Sequence, residues 1–130
     1  IWECTCTAAR LMENGGKVVN ISSIAAEMVI PGSGHYSAAK AGVNMLTKTF
    51  ARELGPRIRV NCIMPGAVPT EIMMQAMGLQ DDDLPGLEKF LNLPAGRLGT
   101  PEDLGAAVLY FTSNATQWVT GQVLAVSGGQ

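Results

Sequence analysis

Histidine and cysteine are scarce in this sequence, and their scarcity limits the chemistry that the protein can perform. The 130 residues include one histidine, His35, and three cysteines. Cys4 and Cys6 are two residues apart in a helical pattern, so their side chains diverge, and a single histidine adds little to a metal site. An odd number of cysteines without regular spacing predicts free thiols in a reducing, cytoplasmic setting, with no disulfide framework and no bound metal.

An excess of charge of either sign is also absent. Nine basic and eleven acidic residues give a net charge of −2, and the basic residues form no run. Proteins that bind nucleic acid usually carry a basic patch, so we expect no nucleic-acid partner. No apolar run approaches the length of a bilayer-spanning helix and no signal peptide is recognisable, so we expect no membrane partner. The composition predicts a soluble globular protein.

The first half of the chain has a helix–strand–helix–strand pattern. Residues 1–13 are typical of the end of a helix, and Lys17–Ser22 is short and β-branched, which predicts a strand. From Tyr36 to Leu54 apolar residues recur every three or four positions, which predicts a helix that Gly55-Pro56 ends. Arg57–Met64 predicts a second strand. Strand, helix and strand of these lengths are typical of a βαβ unit, so the predicted fold class is α/β with a parallel sheet.

The second half carries weaker signals. Residues 67–99 have an irregular pattern, which Pro85 and Pro94 interrupt. Thr100, followed by a proline and two acids, predicts the start of a helix that runs to about Thr112. Val119–Val126 then predicts a last strand.

Three polar residues of this framework suggest a catalytic site. Tyr36 and Lys40 are four residues apart, so they lie on one helix face, and Ser23 precedes Tyr36 by thirteen residues. Ser23 follows the first predicted strand, at the sheet edge where α/β proteins bind ligands. An ammonium about 4 Å from a phenol favours the phenolate by roughly 4 kcal/mol at an effective dielectric of about 20. With a serine hydroxyl to hold the reacting oxygen, the arrangement indicates interconversion of an alcohol and a ketone.

Other conspicuous residues have simpler interpretations. His35 adjoins the tyrosine, but neighbours along a helix point apart, so we interpret it as a loop or rim residue. Met73, Met74 and Met77 form either an adaptable lid over a hydrophobic substrate or ordinary helix packing, and the sequence favours neither. Asp81–Asp83 is interpreted as a solvated loop. A Tyr-x-x-x-Lys pair alone is a weak signal, so the proposed catalytic residues need further support.

That support comes from an ordered set of motifs that resembles the C-terminal half of the short-chain dehydrogenase/reductase family. The resemblance covers essentially the whole chain. It implies the C-terminal portion of a Rossmann-like, doubly wound parallel sheet in three α/β/α layers, without the N-terminal cofactor-binding βαβ units. It also implies that residues 1–130 are the catalytic part of one domain, with a substrate loop at about 67–99. The motifs are Asn20-Ile21-Ser22-Ser23, Tyr36-Ser37-Ala38-Ala39-Lys40, Arg59-Val60-Asn61, Pro65-Gly66-Ala67-Val68-Pro69-Thr70, Arg97-Leu98-Gly99-Thr100-Pro101-Glu102-Asp103, and Gly121-Gln122 leading to Ser127-Gly128-Gly129.

The resemblance implies catalytic roles for three residues. Tyr36 would be the general acid/base that passes a proton to or from the substrate oxygen. Lys40 would favour the phenolate of Tyr36, and both side chains would contact the cofactor, with Lys40 bound to the nicotinamide ribose. Ser23 would orient the substrate carbonyl or hydroxyl and stabilise charge on its oxygen.

Four further residues would form the nicotinamide pocket of an NAD or NADP cofactor. By the same resemblance, Pro65 and Gly66 would line the ring, and the backbone of Val68 and the hydroxyl of Thr70 would hold the carboxamide. A glycine-rich cofactor turn is missing, and the family's catalytic asparagine would fall just ahead of Ile1, so the chain looks cut.

Two functional hypotheses follow from these observations. The first is an NAD(P)-dependent oxidoreductase for a secondary alcohol or ketone, of hydroxysteroid or 3-oxoacyl type, which in complete form is a homodimer or homotetramer. Enoyl reductases of the family place the tyrosine and lysine further apart. The second is a truncated, inactive fragment that acts at most as a subunit-association module.

Overall fold

The computed structural model describes residues 1–130 as a three-stranded parallel sheet with helices on both faces. The strands lie in the order β1-β2-β3, and both neighbouring pairs are parallel. The predicted α/β class is therefore confirmed. In chain order the elements are α1 (Trp2–Leu11), β1 (Gly16–Ile21), α2 (Gly34–Leu54), β2 (Ile58–Pro65), α3 (Glu71–Met77), α4 (Leu84–Leu91), α5 (Pro101–Thr112) and β3 (Val123–Val126).

The central strand β2 is paired on both sides and forms the core of the sheet. Residues 16–21 of β1 lie opposite residues 58–63, and residues 62–65 pair with β3. Since successive side chains of a strand point to opposite faces, Val60 faces one helix layer and Ile63 faces the other. Both are fully buried.

Each face of the sheet packs against its own helix layer. On one face, Phe50 of α2 and Ala9 of α1 pack around Ile58. On the other face, Phe111 of α5 packs against Ile63. The chain therefore has the three α/β/α layers that the resemblance implied, and the helix α2 crosses over between β1 and β2.

The helix α2 has 21 residues and begins two residues earlier than predicted. Its inward positions combine apolar and small polar side chains, among them Val43 and Thr47, which are buried. None of the helices has the length and apolar character that crossing a bilayer requires.

All three cysteines are free, but they differ in environment. Cys4 is exposed, Cys6 is half-buried and Cys62 is buried in β2. Burial raises the pKa of the Cys62 thiol, because the charged thiolate would lose its hydration inside the protein. Cys62 therefore behaves as a small apolar core residue.

The last strand is shorter than the sequence suggested. It begins at Val123, whereas the prediction placed its start at Val119. Over the preceding residues two backbone hydrogen bonds to β2 remain, and side chains supply the others: the Thr120 hydroxyl accepts a backbone N–H of β2 at 3.1 Å, and the Asn61 amide donates to the Val119 carbonyl at 3.1 Å. Gly121 has a φ of +70°, which breaks the extended conformation. The prediction of a strand at residues 119–122 is therefore wrong.

The interpretation of residues 67–99 as irregular is wrong in two places, since the region contains α3 and α4. The Thr70 hydroxyl accepts the Met73 backbone N–H at 3.3 Å and so caps the start of α3. Pro85 does not interrupt a helix but lies in the first turn of α4, where a missing N–H removes no intrahelical hydrogen bond.

The helix α5 starts where the sequence predicted, and a local polar network fixes that start. The Asp103 carboxylate accepts the Thr100 backbone N–H at 2.8 Å and both Arg97 Nη groups at 2.7 and 2.8 Å. The Arg97 guanidinium and, after it, the Thr100 N–H hold the pKa of the Asp103 carboxyl well below its usual range. This network ties the segment before α5 to its first turn.

Replacing Asp103 by asparagine is expected to lower stability at neutral pH, and the difference should shrink as the pH falls. Because the pKa is lower in the folded than in the unfolded protein, the stabilisation is fully present above about pH 5 and is lost as the pH falls toward the folded-state pKa. Urea unfolding of both proteins at about pH 7 and about pH 3 measures this difference. Glu102→Gln is the matched control, since Glu102 is exposed and its side chain forms no hydrogen bond or ion pair. A difference that persists unchanged in acid would contradict the assignment.

Candidate active site

The candidate site lies at the carboxyl edge of the sheet, where three loops leave neighbouring strands. Ser22 and Ser23 follow β1, residues 66–70 follow β2, and residues 127–130 follow β3. The first turn of α2 begins after the loop that follows β1. Because parallel strands end at the same edge, the seven residues predicted from sequence belong to a strand end, two loops and a helix start on one side of the sheet.

Lys40 lies between the ring of Tyr36 and the end of β1. Its Nζ is 5.7 Å from the centroid of the Tyr36 ring and donates to the Ile21 carbonyl at 3.2 Å. An ammonium has three donors, so two remain available for a ligand. The Tyr36 side chain is 44% exposed, which leaves its hydroxyl accessible to a substrate.

Ser23 begins a short 3₁₀ turn over residues 24–26. Its Oγ accepts the Ala25 backbone N–H at 3.2 Å. Accepting a hydrogen bond fixes the hydroxyl oxygen but leaves its proton free to be donated. The geometry therefore allows Ser23 to donate to an oxygen of a bound ligand.

His35 is exposed and lies in the first turn of α2. It is therefore a surface residue of a helix, and its interpretation as a loop residue is wrong. The methionines of α3 are not core residues either. Met73 and Met74 are half-buried, Met77 is 54% exposed, and no residue of α3 is buried. Ordinary core packing therefore does not account for them.

Sequence reasoning missed a row of buried polar residues between β1 and α2. Ser22 Oγ donates to the Lys40 backbone carbonyl at 2.8 Å, and Asn20 Nδ2 donates to Thr47 Oγ1 at 2.9 Å. Asn44 is buried in the same layer. The available signal was periodicity: Asn20 and Ser22 alternate on one face of the strand, while Lys40, Asn44 and Thr47 recur on one face of the helix. Polar residues at core positions in both patterns indicate a buried network.

The loop after β2 is held close to the loop after β3. The Gly66 N–H donates to the Val126 carbonyl at 3.0 Å, and a Cβ built on Gly66 would lie 2.6 Å from the Ser127 Cα. This approach is shorter than any real Cβ contact, so only glycine fits. Pro65, the last residue of β2, precedes it directly.

Further along this loop, Val68 is buried and Thr70 is exposed. The Val68 N–H donates to no group of the chain, while its carbonyl accepts the Thr70 N–H at 2.7 Å. The Thr70 hydroxyl accepts at the start of α3 and keeps its own proton free. The loop thus offers one backbone donor and one hydroxyl donor.

These donors fit half of a nicotinamide dinucleotide. A carboxamide needs partners such as the Val68 N–H and the Thr70 hydroxyl, and a ribose diol needs partners such as the free donors of Lys40. No strand of the chain is followed by a glycine-rich turn and a helix that could bind a pyrophosphate. The residues present therefore fit the nicotinamide and its ribose, and only that half.

A cleft of about 230 Å³ opens beside the Gly66 loop, between the end of β3 and the start of α5. Arg97 and Asp103 line it, but they are paired with each other. Tyr36, Lys40 and Ser23 do not line it. Gly66 and Val68 also line it, so the cleft shares part of the proposed nicotinamide pocket, while the three proposed catalytic residues lie outside its lining.

The fold and the site together define a Rossmann-like protein with a candidate redox site. The sheet is parallel, a serine follows one strand beside a Tyr-x-x-x-Lys helix, and free hydrogen-bond donors follow the next strand. A family model described as enoyl-(acyl carrier protein) reductase matches residues 1–130. A solved structure described as a short-chain dehydrogenase/reductase family protein is 34% identical, with a TM-score of 0.82, and the match covers 98% of this chain and 52% of the other. The chain belongs to the short-chain dehydrogenase/reductase family.

Named relatives include a reductase and a dehydrogenase. The 3-oxoacyl-acyl-carrier-protein reductase FabG of Chlamydia muridarum is 44% identical over 115 residues, which is 88% of this chain and 44% of the relative. A 7α-hydroxysteroid dehydrogenase, solved with NADH and 7-oxoglycochenodeoxycholic acid, is 37% identical with a TM-score of 0.78, covering 91% of this chain and 46% of the other. The chain spans about half the length of the curated relatives it matches.

Proposed function

We propose that this chain carries the catalytic residues of an NAD(P)-dependent oxidoreductase that interconverts a secondary alcohol and a ketone. The observation that carries the proposal is the position of the Lys40 ammonium, 5.7 Å from the centre of the Tyr36 ring and bound to the end of β1 that precedes Ser23. This arrangement supports proton transfer at one oxygen atom. The family relatives reported above support the same chemistry.

In the proposed reduction, the Ser23 hydroxyl donates a hydrogen bond to the ketone oxygen. The Tyr36 phenol then gives its proton to that oxygen, and the Lys40 ammonium stabilises the phenolate left behind. The bound nicotinamide supplies the hydride that reduces the carbonyl carbon. The ketone thus gains one hydride at carbon and one proton at oxygen, and Tyr36 regains its proton from water.

The proposed cofactor contacts extend from the helix to the loop after β2. Tyr36 and Lys40 would bind the nicotinamide ribose. Pro65 and Gly66 would line the ring, and Val68 and Thr70 would hold the carboxamide. The free Val68 N–H and the free Thr70 proton favour this role.

The proposed substrate has an apolar body, of hydroxysteroid or 3-oxoacyl type. Exposed apolar side chains on α3 and α4 favour it, since Ile72 is 80% exposed and Phe90 is 83% exposed. These helices lie in the proposed substrate loop at about 67–99 of a single catalytic domain. An enoyl substrate, which the description of the family model names, is less favoured because the tyrosine and lysine are only four residues apart.

Titration of NADH and NADPH, followed by a panel of ketones, tests the proposal. The panel contains a 3-oxoacyl thioester, a 7-oxo bile acid and a 2-enoyl thioester. Saturable cofactor binding with turnover of either ketone supports it. Turnover of the enoyl thioester alone would replace the proposed reaction by C=C reduction, and binding of neither cofactor would favour the rival subunit-association module.

We also propose a cytoplasmic homo-oligomer, a dimer or a tetramer. The three free cysteines favour a reducing compartment. Small exposed residues of α2, among them Ala38, Ala41 and Gly42, would let a second helix approach closely, and Met45 beside them is 62% exposed. Light scattering of the purified protein measures the assembly mass, and a monomer at micromolar concentration would contradict the proposal.

A further inference from the structure

Lys40 is held at the end of β1 through both its side chain and its backbone. Its side-chain Nζ donates to the Ile21 carbonyl at 3.2 Å, and its backbone carbonyl accepts the Ser22 hydroxyl at 2.8 Å. Ser23, which follows Ser22 in the chain, is the proposed oxygen-binding serine. Ile21 and Ser22, two consecutive residues at the end of β1, thus fix the Lys40 ammonium and the turn of α2 that carries it.

Ser22 is well placed to act on the helix. It is only 3% exposed, and its own N–H donates to the Ile63 carbonyl at 2.8 Å, so it continues the pairing of β1 with β2. A helix carbonyl has a second lone pair, so the Lys40 carbonyl can accept the Ser22 hydroxyl without losing its place in the helix. The hydroxyl therefore joins the sheet to the first half of α2.

We propose that Ser22 is a positioning residue that sets the distance between the Tyr36–Lys40 turn of α2 and Ser23. The inference rests on the proposed function, and it assigns to Ser22 no contact with substrate or cofactor. Without the hydroxyl, no side chain of the strand end holds the backbone of Lys40. The turn can then move relative to Ser23, and small displacements at a reacting oxygen lower the rate steeply.

The test compares Ser22→Ala with Ser22→Thr and a matched control in the full-length protein. The control is Thr47→Val, because Thr47 is also buried and its hydroxyl also donates to a carbonyl of α2, that of Val43 at 2.9 Å. Ser22→Ala is expected to lower kcat about tenfold with little change in KM, since only the alignment in the transition state is disturbed. Ser22→Thr keeps the hydroxyl and is expected to restore kcat.

Hydrogen–deuterium exchange provides a readout that is independent of turnover. Ser22→Ala is expected to raise exchange in residues 34–44, whereas Thr47→Val is expected to raise it further along α2. Unchanged exchange in residues 34–44, or a loss of kcat no larger than that of Thr47→Val, would overturn the inference. If the wild-type protein turns over no ketone, the proposed function fails, and the exchange data alone then decide whether Ser22 holds the helix.

Discussion

Tyr36→Phe is expected to lower kcat by about 10²- to 10⁴-fold, which is the usual contribution of a positioned general acid or base. The substitution removes only the phenol oxygen and keeps the ring beside Lys40. KM for the ketone should change little, because the ring and the ammonium remain in place. Thermal stability should also change little, since the side chain is 44% exposed.

The matched control for this experiment is Tyr110→Phe. The chain has only two tyrosines, and Tyr110 lies on α5 with 49% exposure, in the other helix layer. It should retain full turnover. Steady-state kinetics of both variants with one ketone and one cofactor provide the comparison. Full activity of Tyr36→Phe, or an equal loss in both variants, would rule out Tyr36 as the proton donor.

Gly66→Ala is expected to weaken binding of NADH or NADPH by tenfold or more (on the order of 1.4 kcal/mol). The new Cβ would lie 2.6 Å from Cα and 2.7 Å from Cβ of Ser127, so the loop after β2 must shift. That loop carries Val68 and Thr70, the proposed carboxamide partners. Overpacking of this kind also destabilises proteins by about 1–3 kcal/mol.

Gly105→Ala is the matched control for the glycine substitution. Gly105 lies within α5, and a Cβ there meets no atom within 4 Å. Because alanine is the better helix former, this variant should be more stable by about 0.5–1 kcal/mol, with unchanged cofactor affinity. Fluorescence titration and urea unfolding measure both quantities. Normal cofactor affinity in Gly66→Ala would show that the loop after β2 does not form the nicotinamide pocket.

The sequence predicted the elements whose local signals agree with their packing. The helix α5 starts where Thr100 and the following proline and acids predicted, because the cap and the Asp103 interactions are local. The βαβ unit of β1, α2 and β2 followed from hydrophobic periodicity. The bounds differ by one or two residues, since hydrogen-bond pairing with a neighbouring strand sets the ends.

Where the sequence misled, contacts distant in the chain decided the structure. Residues 119–122 have the composition of a strand, but the Asn61 side chain binds the Val119 carbonyl and the Gln122 N–H, and only two backbone hydrogen bonds join these residues to β2. Pro85 was predicted to interrupt an irregular region and instead lies in the first turn of α4. The start of β3 depends on contacts with β2, and the effect of Pro85 depends on where α4 begins. Hydrophobic periodicity reveals neither.

The candidate site was likewise only partly predictable from the sequence. The motifs grouped Ser23, Tyr36 and Lys40 at one edge of the sheet, since parallel strands end together. They did not reveal that the Lys40 ammonium binds the Ile21 carbonyl or that Ser22 holds the helix backbone. Such contacts depend on how α2 docks on β1, and no short-range pattern encodes that docking.

The most direct test of the central claim is transfer of deuterium from NADH or NADPH deuterated at the nicotinamide C4 to a ketone of the panel. Mass spectrometry of the alcohol locates the label. The account predicts one deuterium at the carbinol carbon with the wild-type protein, and its near disappearance in Tyr36→Phe. A labelled product that forms equally well without the Tyr36 hydroxyl, or no transfer to any ketone from either cofactor by the folded protein, would contradict it.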